Sequence, residues 1–254
     1  MWILFSPSEK KCLKHKYEVE FKGDFYENLL AKDALREVLV SYQNFLQKES
    51  EEKIKKLFGK KKLDLESLSA CQNLFNSPLL SAILRYEGVA YEALDFKNLN
   101  TSEQEYLYKN VLIFSNLFGL LRADDKIPYY DLMQGEKFYS FDTKKFYKEN
   151  ENPFKQHLGK DKEILDLRAG FYQKCLGFDE NYTLLESIFI KNNKVVSHYA
   201  KHYRGVLLKE CAKNKVDCLL GLEDLEIEGL KRLKKETMQE KKGAKRIQFF
   251  YEVL

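Results

Sequence analysis

Most apolar positions of the chain recur at intervals of three and four residues, the spacing of amphipathic helices. From Asp24 to Gln47 this spacing is continuous and predicts one long helix with Asp24 as its N-cap. Another helix would begin near residue 101, at a capping box of Thr101 with Gln104 or of Ser102 with Glu105. Further helices are predicted within residues 49–62, 63–75, 78–86 and 198–212.

Short apolar runs bounded by turn residues predict strands between these helices. Buried strands are expected at Trp2–Phe5, Val111–Phe114 and Glu163–Leu167. Residues 184–190 and 195–197 flank Lys191-Asn192-Asn193-Lys194, which is typical of a hairpin turn. Residues 247–253 predict an edge strand behind the basic residues Lys241, Lys242, Lys245 and Arg246. The predicted fold class is α/β (α+β mixed), a central mixed sheet flanked by helices.

Length and composition favour one cytoplasmic domain over residues 1–254. With 44% apolar residues the chain can bury a full core without disulfides or metals. The five cysteines form an odd set without CxxC spacing, so we expect reduced thiols. The chain has neither a signal-peptide pattern nor a run of about 18 apolar residues, so no membrane contact is expected.

Candidate chemistry lies where the predicted strands end. If these strands run parallel, their polar residues meet in one crevice at the carboxyl edge of the sheet. A helix beginning at Ser197, with Lys201 and Arg204 one turn later, would add an anion site. Each group taken alone is also typical of turns and helix caps. The strand-end residues are Ser6, Ser8, Lys11, Ser115, Asn116, Arg122, Asp166 and Arg168.

Several kinds of site are disfavoured. The chain contains no GxxxxGK[ST] and no GxGxxG after a strand, so neither ATP nor NAD chemistry is supported and no cofactor is expected. His198 and His202 have the spacing of two ligands on one helix face, but Lys201 and Arg204 would repel a cation, and we predict no metal. Lysines of residues 53–62 form a solvated surface or a basic contact surface, and the sequence leaves both open.

Five motifs resemble, in order, those of the YaaA family of peroxide-stress proteins. They are ILFSPSEKK at 3–11, RYEGVAYEAL at 85–94, SNLFGLLRADDKIPYYDL at 115–132, ILDLRAGFY at 164–172 and VVSHYAKHYRG at 195–205. The resemblance implies an α/β protein of its own fold type. It also implies that double-stranded DNA binds in a basic cleft and that the protein protects against hydrogen peroxide and is linked to lower free iron.

The resemblance also carries over individual residues and shows two departures. Its polar positions fall on Ser6, Lys11, Arg85, Tyr91, Ser115, Arg122, Asp166, Ser197, Lys201 and Arg204. Asp131 stands where the family segment has arginine. Residues 70–82, which correspond to a helix-hairpin-helix-like element, have no hairpin glycine.

Three functional hypotheses follow, and a fourth, direct iron binding, is disfavoured because carboxylate and histidine ligands are not clustered in the sequence. The first is binding of double-stranded DNA without strong sequence preference, through Ser6, Lys11, Arg85, Arg122, Arg168, Ser197, Lys201 and Arg204. The second is an enzyme acting on a nucleotide or nucleobase, with Asp166 as acid or base and a small nucleotide-like ligand in the crevice. The third is a structural or protein-binding domain with a solvated basic face. We favour the first, which involves no catalysis.

Overall fold

The computed structural model describes residues 1–21, 23–160, 162–239 and 243–254, except for the side chains of Lys162, Ser197 and His198. In this part of the chain the strands are β1 (Trp2–Phe5), β2 (Leu80–Ser81), β3 (Val111–Ser115), β4 (Gly119–Arg122), β5 (Lys126–Ile127), β6 (Lys162–Leu167), β7 (Tyr182–Lys191), β8 (Lys194–Val195), β9 (Leu230–Gln239) and β10 (Lys245–Val253). The α-helices are α1 (Lys32–Lys48), α2 (Glu51–Phe58), α3 (Leu65–Gln72), α4 (Ala82–Arg85), α5 (Val89–Leu94), α6 (Thr101–Asn110), α7 (Thr143–Glu149), α8 (Glu151–Leu158), α9 (Gly170–Gln173), α10 (Ser197–Asn214) and α11 (Leu219–Glu223).

A mixed sheet forms the centre of the molecule, as the sequence predicts. Within the described residues its order is β4-β3-β1-β6-β7-β10-β9, and β8 pairs with β7. Strands β3, β1, β6, β7 and β10 run parallel, whereas β4, β8 and β9 are antiparallel to their neighbours. The α/β fold class is confirmed. Parallel pairing also brings the carboxyl ends of β1, β3 and β6 to one edge.

The central strands are apolar because they are covered on both faces. Ile3, Leu4 and every residue from Val111 to Phe114 are fully buried. Continuous apolar runs are typical of parallel strands packed between helices, whereas strands with one wet face alternate. This burial explains why the three short runs were recognisable from sequence alone.

The long helix predicted from Asp24 to Gln47 is interrupted. Phe25–Asn28 is a 3-10 turn, α1 begins only at Lys32, and the side chain of Asp24 caps neither. The reason lies in packing, because Phe25 is buried with its ring edge-on to Phe118, the ring centroids 5.9 Å apart. That tertiary contact overrides the helical spacing.

Two further helix predictions need correction. Residues 78–86 contain the short strand β2 and the single turn α4, because Leu79 exchanges backbone hydrogen bonds of 2.9 Å with Val19. The capping box of helix α6 begins at Asn100, one residue before the first predicted box and two before the second. Asn100 accepts a hydrogen bond from the Glu103 amide at 3.1 Å, and Glu103 accepts one from the Asn100 amide at 2.9 Å.

In the carboxyl-terminal third of the chain, the predicted hairpin is confirmed and the predicted edge position of the last strand is wrong. Asn192 and Asn193 adopt φ of 51° and 59°, the left-handed conformation that a two-residue turn requires. Strand β10 is not at an edge, because β9 covers it. β9 escaped prediction because nine of its ten residues are exposed and charged side chains dominate it. Lys241 and Lys242 lie outside the described residues.

Candidate functional site

A crevice of about 340 Å³ opens at the carboxyl edge of the sheet. Its floor is formed by the residues that follow β1 and β6. Its sides are formed by the loop of residues 6–10, the start of α5, and Lys201 and Arg204 in the first part of α10. Crevices outside the carboxyl ends of parallel strands are the usual ligand sites of open α/β sheets.

Ser6 joins the elements of the floor. Its Oγ accepts a hydrogen bond of 2.7 Å from the Ala169 amide, beyond the end of β6. Its carbonyl accepts one of 2.9 Å from the Tyr91 hydroxyl on α5. Burial raises the pKa of Tyr91, so the hydroxyl stays protonated and continues to donate. Ser6 therefore positions the crevice, and its own hydroxyl proton points to no protein acceptor in the described part of the chain.

Lys201 and Arg204 supply positive charge from α10. Lys201 is exposed and Arg204 is half-buried, and both line the crevice. Burial lowers the pKa of Arg204, and the negative charge of Asp166 opposes that change. Among the side chains that the structure describes, neither residue has an ion-pair or hydrogen-bond partner. These cations are therefore available to an anionic ligand.

Gly205 allows α10 to pack closely against α5 beside the crevice. A Cβ atom at this position would lie 2.0 Å from the Ala90 carbonyl oxygen and 2.9 Å from the Ala93 Cβ on α5. Real Cβ atoms do not approach a backbone oxygen to that distance, so only glycine fits. The next residue back along the helix, Arg204, is thereby held at the crevice wall.

Asp166 and Arg168 lie beneath the floor and bind each other. The guanidinium donates to both carboxylate oxygens, at 2.8 and 2.7 Å, and to the carbonyls of Tyr172 and Leu176 at 3.0 Å each. It also lies over the rings of Phe114 and Phe178, 4.7 and 5.2 Å from their centroids. Both side chains are buried, so this ion pair supports the fold and Arg168 cannot reach a duplex.

Arg85 is also enclosed in protein. It has no exposed surface, pairs with Glu18 at 2.9 Å and donates to four carbonyls, those of Cys12, Leu13, Pro78 and Ile127. Burial lowers its pKa, and the Glu18 carboxylate opposes that change. The guanidinium holds the N-terminal loop against β5 and α4.

Lys11 points inward as well. Its ammonium lies 3.9 Å from the Asp131 carboxylate and 4.6 Å above the Tyr130 ring. Burial lowers the pKa of Lys11, and Asp131 partly offsets that change. Asp131 also binds Lys60 and accepts a hydrogen bond of 2.8 Å from the Tyr129 hydroxyl. The aspartate that departs from the family motif is therefore the counter-ion of a buried lysine.

Arg122 lies at the opposite edge of the sheet. Strand β4 is antiparallel to β3 and pairs Arg122 with Leu112, near the amino end of β3. There the guanidinium pairs with Asp125 at 2.7 Å and donates to the Asn28 carbonyl at 2.8 Å. The expectation that all strand-end clusters meet in one crevice is therefore wrong for Arg122.

Comparison with known proteins identifies the family. The profile of the family described as "Peroxide stress protein YaaA" matches residues 1–236. The chain belongs to the YaaA family. The resemblance of the five sequence motifs is thereby confirmed.

Proteins similar to this YaaA-family chain occur in distant bacteria. "Uncharacterized protein Cj0984" of Campylobacter jejuni is 39% identical over 248 residues, 91% of this chain and 96% of that protein. "UPF0246 protein FN1762" of Fusobacterium nucleatum is 26% identical over 257 residues, 95% of this chain and 96% of that protein. "UPF0246 protein Cgl1995/cg2186" of Corynebacterium glutamicum is 35% identical over 151 residues, 55% of this chain and 57% of that protein.

Apart from Arg122 and Ser197, the polar positions of the YaaA motifs thus separate into two groups. Ser6, Tyr91, Lys201 and Arg204 line the crevice together with the start of α10. The side chain of Ser197, at the first position of α10, lies outside what the structure describes. Ser115 is buried and hydrogen-bonded to the Tyr130 hydroxyl at 2.9 Å. It therefore joins Lys11, Arg85, Asp166 and Arg168 in the interior of the YaaA fold.

Sequence reasoning missed Lys10, which lines the crevice where Lys11 does not. Lys10 is exposed and pairs with Glu87 at 3.4 Å, whereas Lys11 forms a β-bridge with Tyr86 and is buried. Successive side chains of an extended segment point to opposite sides. This alternation predicts that only one of two consecutive lysines faces the YaaA crevice. It does not indicate which of the two does so.

Proposed function

We propose that this protein binds double-stranded DNA in the cytoplasm as part of the cell's response to hydrogen peroxide, with a link to lower free iron. The peroxide role comes from the family description. The DNA contact that the geometry supports best lies at the mouth of the crevice, on the β7–β8 hairpin and the first half of α10. Contacts there are to phosphates and carry no sequence preference.

One observation carries this proposal: residues 187–209 contain no acidic residue. Over the same 23 positions the chain has Lys191, Lys194, Lys201, Arg204 and Lys209. The next acidic residues on either side are Glu186 and Glu210. A positive segment without internal counter-charges is the usual electrostatic footprint of a surface that binds nucleic acid.

The exposed side chains of this segment suit a phosphate backbone. Lys194, Lys201 and His202 are exposed, and Tyr199 retains 43% of its surface in solvent. The Lys191 ammonium lies 4.9 Å from the centroid of the Tyr199 ring, which connects the hairpin with the helix. A duplex is too wide to enter a crevice of about 340 Å³, so it would lie across the opening.

The decisive experiment is a salt titration of binding to a duplex of unrelated sequence. Lys194→Ala/Lys201→Ala removes two exposed cations, and we expect the slope of log Kd against log salt to fall by about 2. Lys53→Ala/Lys55→Ala is the matched control, because both lysines are ion-paired on the exposed helix α2, with Glu49 at 2.7 Å and Glu51 at 2.5 Å. Salt-independent binding, or equal effects of the two variants, would reject the proposal.

A second experiment addresses the cellular role. Cells that lack the gene should be killed by lower peroxide concentrations and contain more free iron than the parent strain. The wild-type gene should restore both properties, and the Lys194→Ala/Lys201→Ala gene should not if DNA contact is needed. Full rescue by this variant would separate the peroxide role from the proposed DNA surface.

The enzymatic alternative receives less support. It assigns acid or base chemistry to Asp166, whose side chain has no exposed surface and whose two oxygens bind Arg168. A carboxylate held in this way cannot reach a substrate proton in the crevice. The crevice nevertheless has the size of a small-molecule site. Its size supports the binding of a small ligand but gives no support for catalysis.

A further inference from the structure

We propose that the crevice itself binds one nucleoside monophosphate unit, with the phosphate on α10 and the nucleoside against the apolar lining. The proposed site shares Lys201 and Arg204 with the segment of residues 187–209, but it does not use the exposed hairpin. It rests on the cations, apolar side chains and hydrogen-bonding groups that line one crevice.

The phosphate end is defined by Arg204 with Lys201. Arg204 is half-buried at the wall, it has no partner among the described side chains, and Gly205 fixes its approach. A partly desolvated guanidinium favours a phosphate because its parallel N–H groups match two phosphate oxygens. Asp166 lies close enough to contribute a negative charge, but its own oxygens bind Arg168. A charged ligand is therefore the natural partner of Arg204.

The middle of the crevice is apolar and rigid. Phe5 and Leu167 form its base, and the Tyr91 ring packs edge-on against Phe5 with centroids 5.2 Å apart. The Tyr91 hydroxyl donates a hydrogen bond to the Ser6 carbonyl, so the aromatic ring and not the hydroxyl is available to the crevice. Val89 completes this wall and is 51% exposed. Such a surface accepts a flat or apolar body.

The loop of residues 6–10 adds hydrogen-bonding groups to the lining, including Lys10, which is paired with Glu87. Glu9 Oε1 accepts a hydrogen bond of 2.9 Å from the Gln134 amide, which fixes the carboxylate at the crevice and leaves its other oxygen for a ligand. A carboxylate oxygen accepts from the hydroxyls of a ribose or from the amino group of a base.

The volume agrees with this ligand class. About 340 Å³ lies at the lower end of the range of about 300–1,000 Å³ typical of small-molecule sites, which suits a ligand as small as a mononucleotide. The ligand has two plausible sources with the same chemistry: a free nucleotide and the 5′-phosphorylated end of a DNA strand. The test below distinguishes them.

The proposal is tested by calorimetric titration of the full chain with AMP, GMP, CMP, UMP, adenosine and inorganic phosphate. At least one monophosphate should bind at one site per chain, and adenosine about tenfold or more weakly, because it lacks the charge-assisted hydrogen bonds. Arg204→Gln should weaken the monophosphate by a similar factor. Lys213→Gln, on the same helix but paired with Glu210 at 2.8 Å, should leave its affinity unchanged.

Val89→Trp fills the crevice from an exposed position without changing charge. We expect it to abolish nucleotide binding and to keep the salt-sensitive duplex binding measured above, so failure of either proposal can be recognised separately. If a 5′-phosphorylated duplex binds more tightly than an unphosphorylated one and Val89→Trp removes the difference, the ligand is a DNA end. If the two duplexes bind alike, it is a free nucleotide. No saturable binding of any monophosphate at millimolar concentration, or binding unaffected by Arg204→Gln and Val89→Trp, would overturn the proposal.

Discussion

The cations beneath the crevice and those at its mouth share residue types but differ in environment. Arg85, Arg168 and Lys11 are buried, and each faces a carboxylate, backbone carbonyls or aromatic rings. Lys194 and Lys201 are exposed, in a segment without acidic residues. The difference teaches that a polar motif at a strand end does not by itself identify a binding residue. Burial and partners decide whether its charge holds the fold or meets a ligand.

A second comparison supports the same lesson. Residues 49–62 contain six lysines, more than the segment 187–209, but Lys53, Lys55, Lys56 and Lys60 each pair with an acidic side chain. These ion pairs favour a solvated surface over a basic contact surface for this stretch. The number of lysines in a segment therefore does not by itself report how many of its charges lack an acidic partner.

The largest difference between the two groups of cations is expected when a buried cation is removed. Arg168→Ala leaves Asp166 as an uncompensated buried charge, and we expect the free energy of unfolding to fall by about 3–5 kcal/mol. Lys201→Ala, an exposed cation, should change it by less than about 0.5 kcal/mol. Urea denaturation of both variants measures the difference. Equal losses would show that burial does not separate the two groups.

The next largest effect concerns the position of α10. Gly205→Ala places a methyl group against the Ala90 carbonyl, and we expect a loss of about 1–3 kcal/mol together with weaker ligand binding at the crevice. Gly177→Ala is the control, because a Cβ there meets no atom within 4 Å. Thermal unfolding and nucleotide titration of the two variants test this prediction. A stable Gly205→Ala protein with unchanged binding would contradict it.

A smaller effect is expected from Lys11 at alkaline pH. Because burial lowers its pKa in the folded protein, the unfolded chain binds more protons between that lowered pKa and 10.5. Lys11 therefore makes stability rise with pH in this window. Replacing it by methionine should remove this rise, so the stability of wild type relative to Lys11→Met should increase between pH 7 and 10. If the free energies of unfolding of the two proteins change with pH in parallel, Lys11 does not titrate with a lowered pKa in the folded protein.

The smallest expected effect is on the cysteines. Burial raises the pKa of Cys71 to about 12 and that of Cys175 to about 11, and both thiols are covered by protein. At neutral pH they carry almost no thiolate, the form that peroxide attacks. In the native protein we expect a thiol reagent to modify Cys12 and Cys218, which are half-buried, and to spare the three buried cysteines, Cys71, Cys175 and Cys211. Mass spectrometry after peroxide or reagent treatment checks this pattern, and rapid modification of Cys71 would contradict it.

The sequence by itself determined the elements whose signals are local. Apolar runs marked β1 and β3, because parallel strands covered on both faces need apolar residues, and the shorter apolar stretch of Ile164 and Leu165 marked β6. Lys191-Asn192-Asn193-Lys194 marked the hairpin, because asparagine tolerates the left-handed turn. The carboxyl-edge location of Ser6, Lys201 and Arg204 followed from these strands and from the helix behind the hairpin.

Only the tertiary structure decided the direction in which each charge points. Lys10 and Lys11 are adjacent and chemically identical, yet one is exposed and the other is enclosed with Asp131. Arg122 left the predicted site because β4 turns back along β3, and Arg168 turned inward because Asp166 and two phenylalanine rings surround it. These outcomes depend on partners distant in sequence. Local patterns report where a strand ends, but the free energy of burying a charge is set by the groups that other elements bring to it.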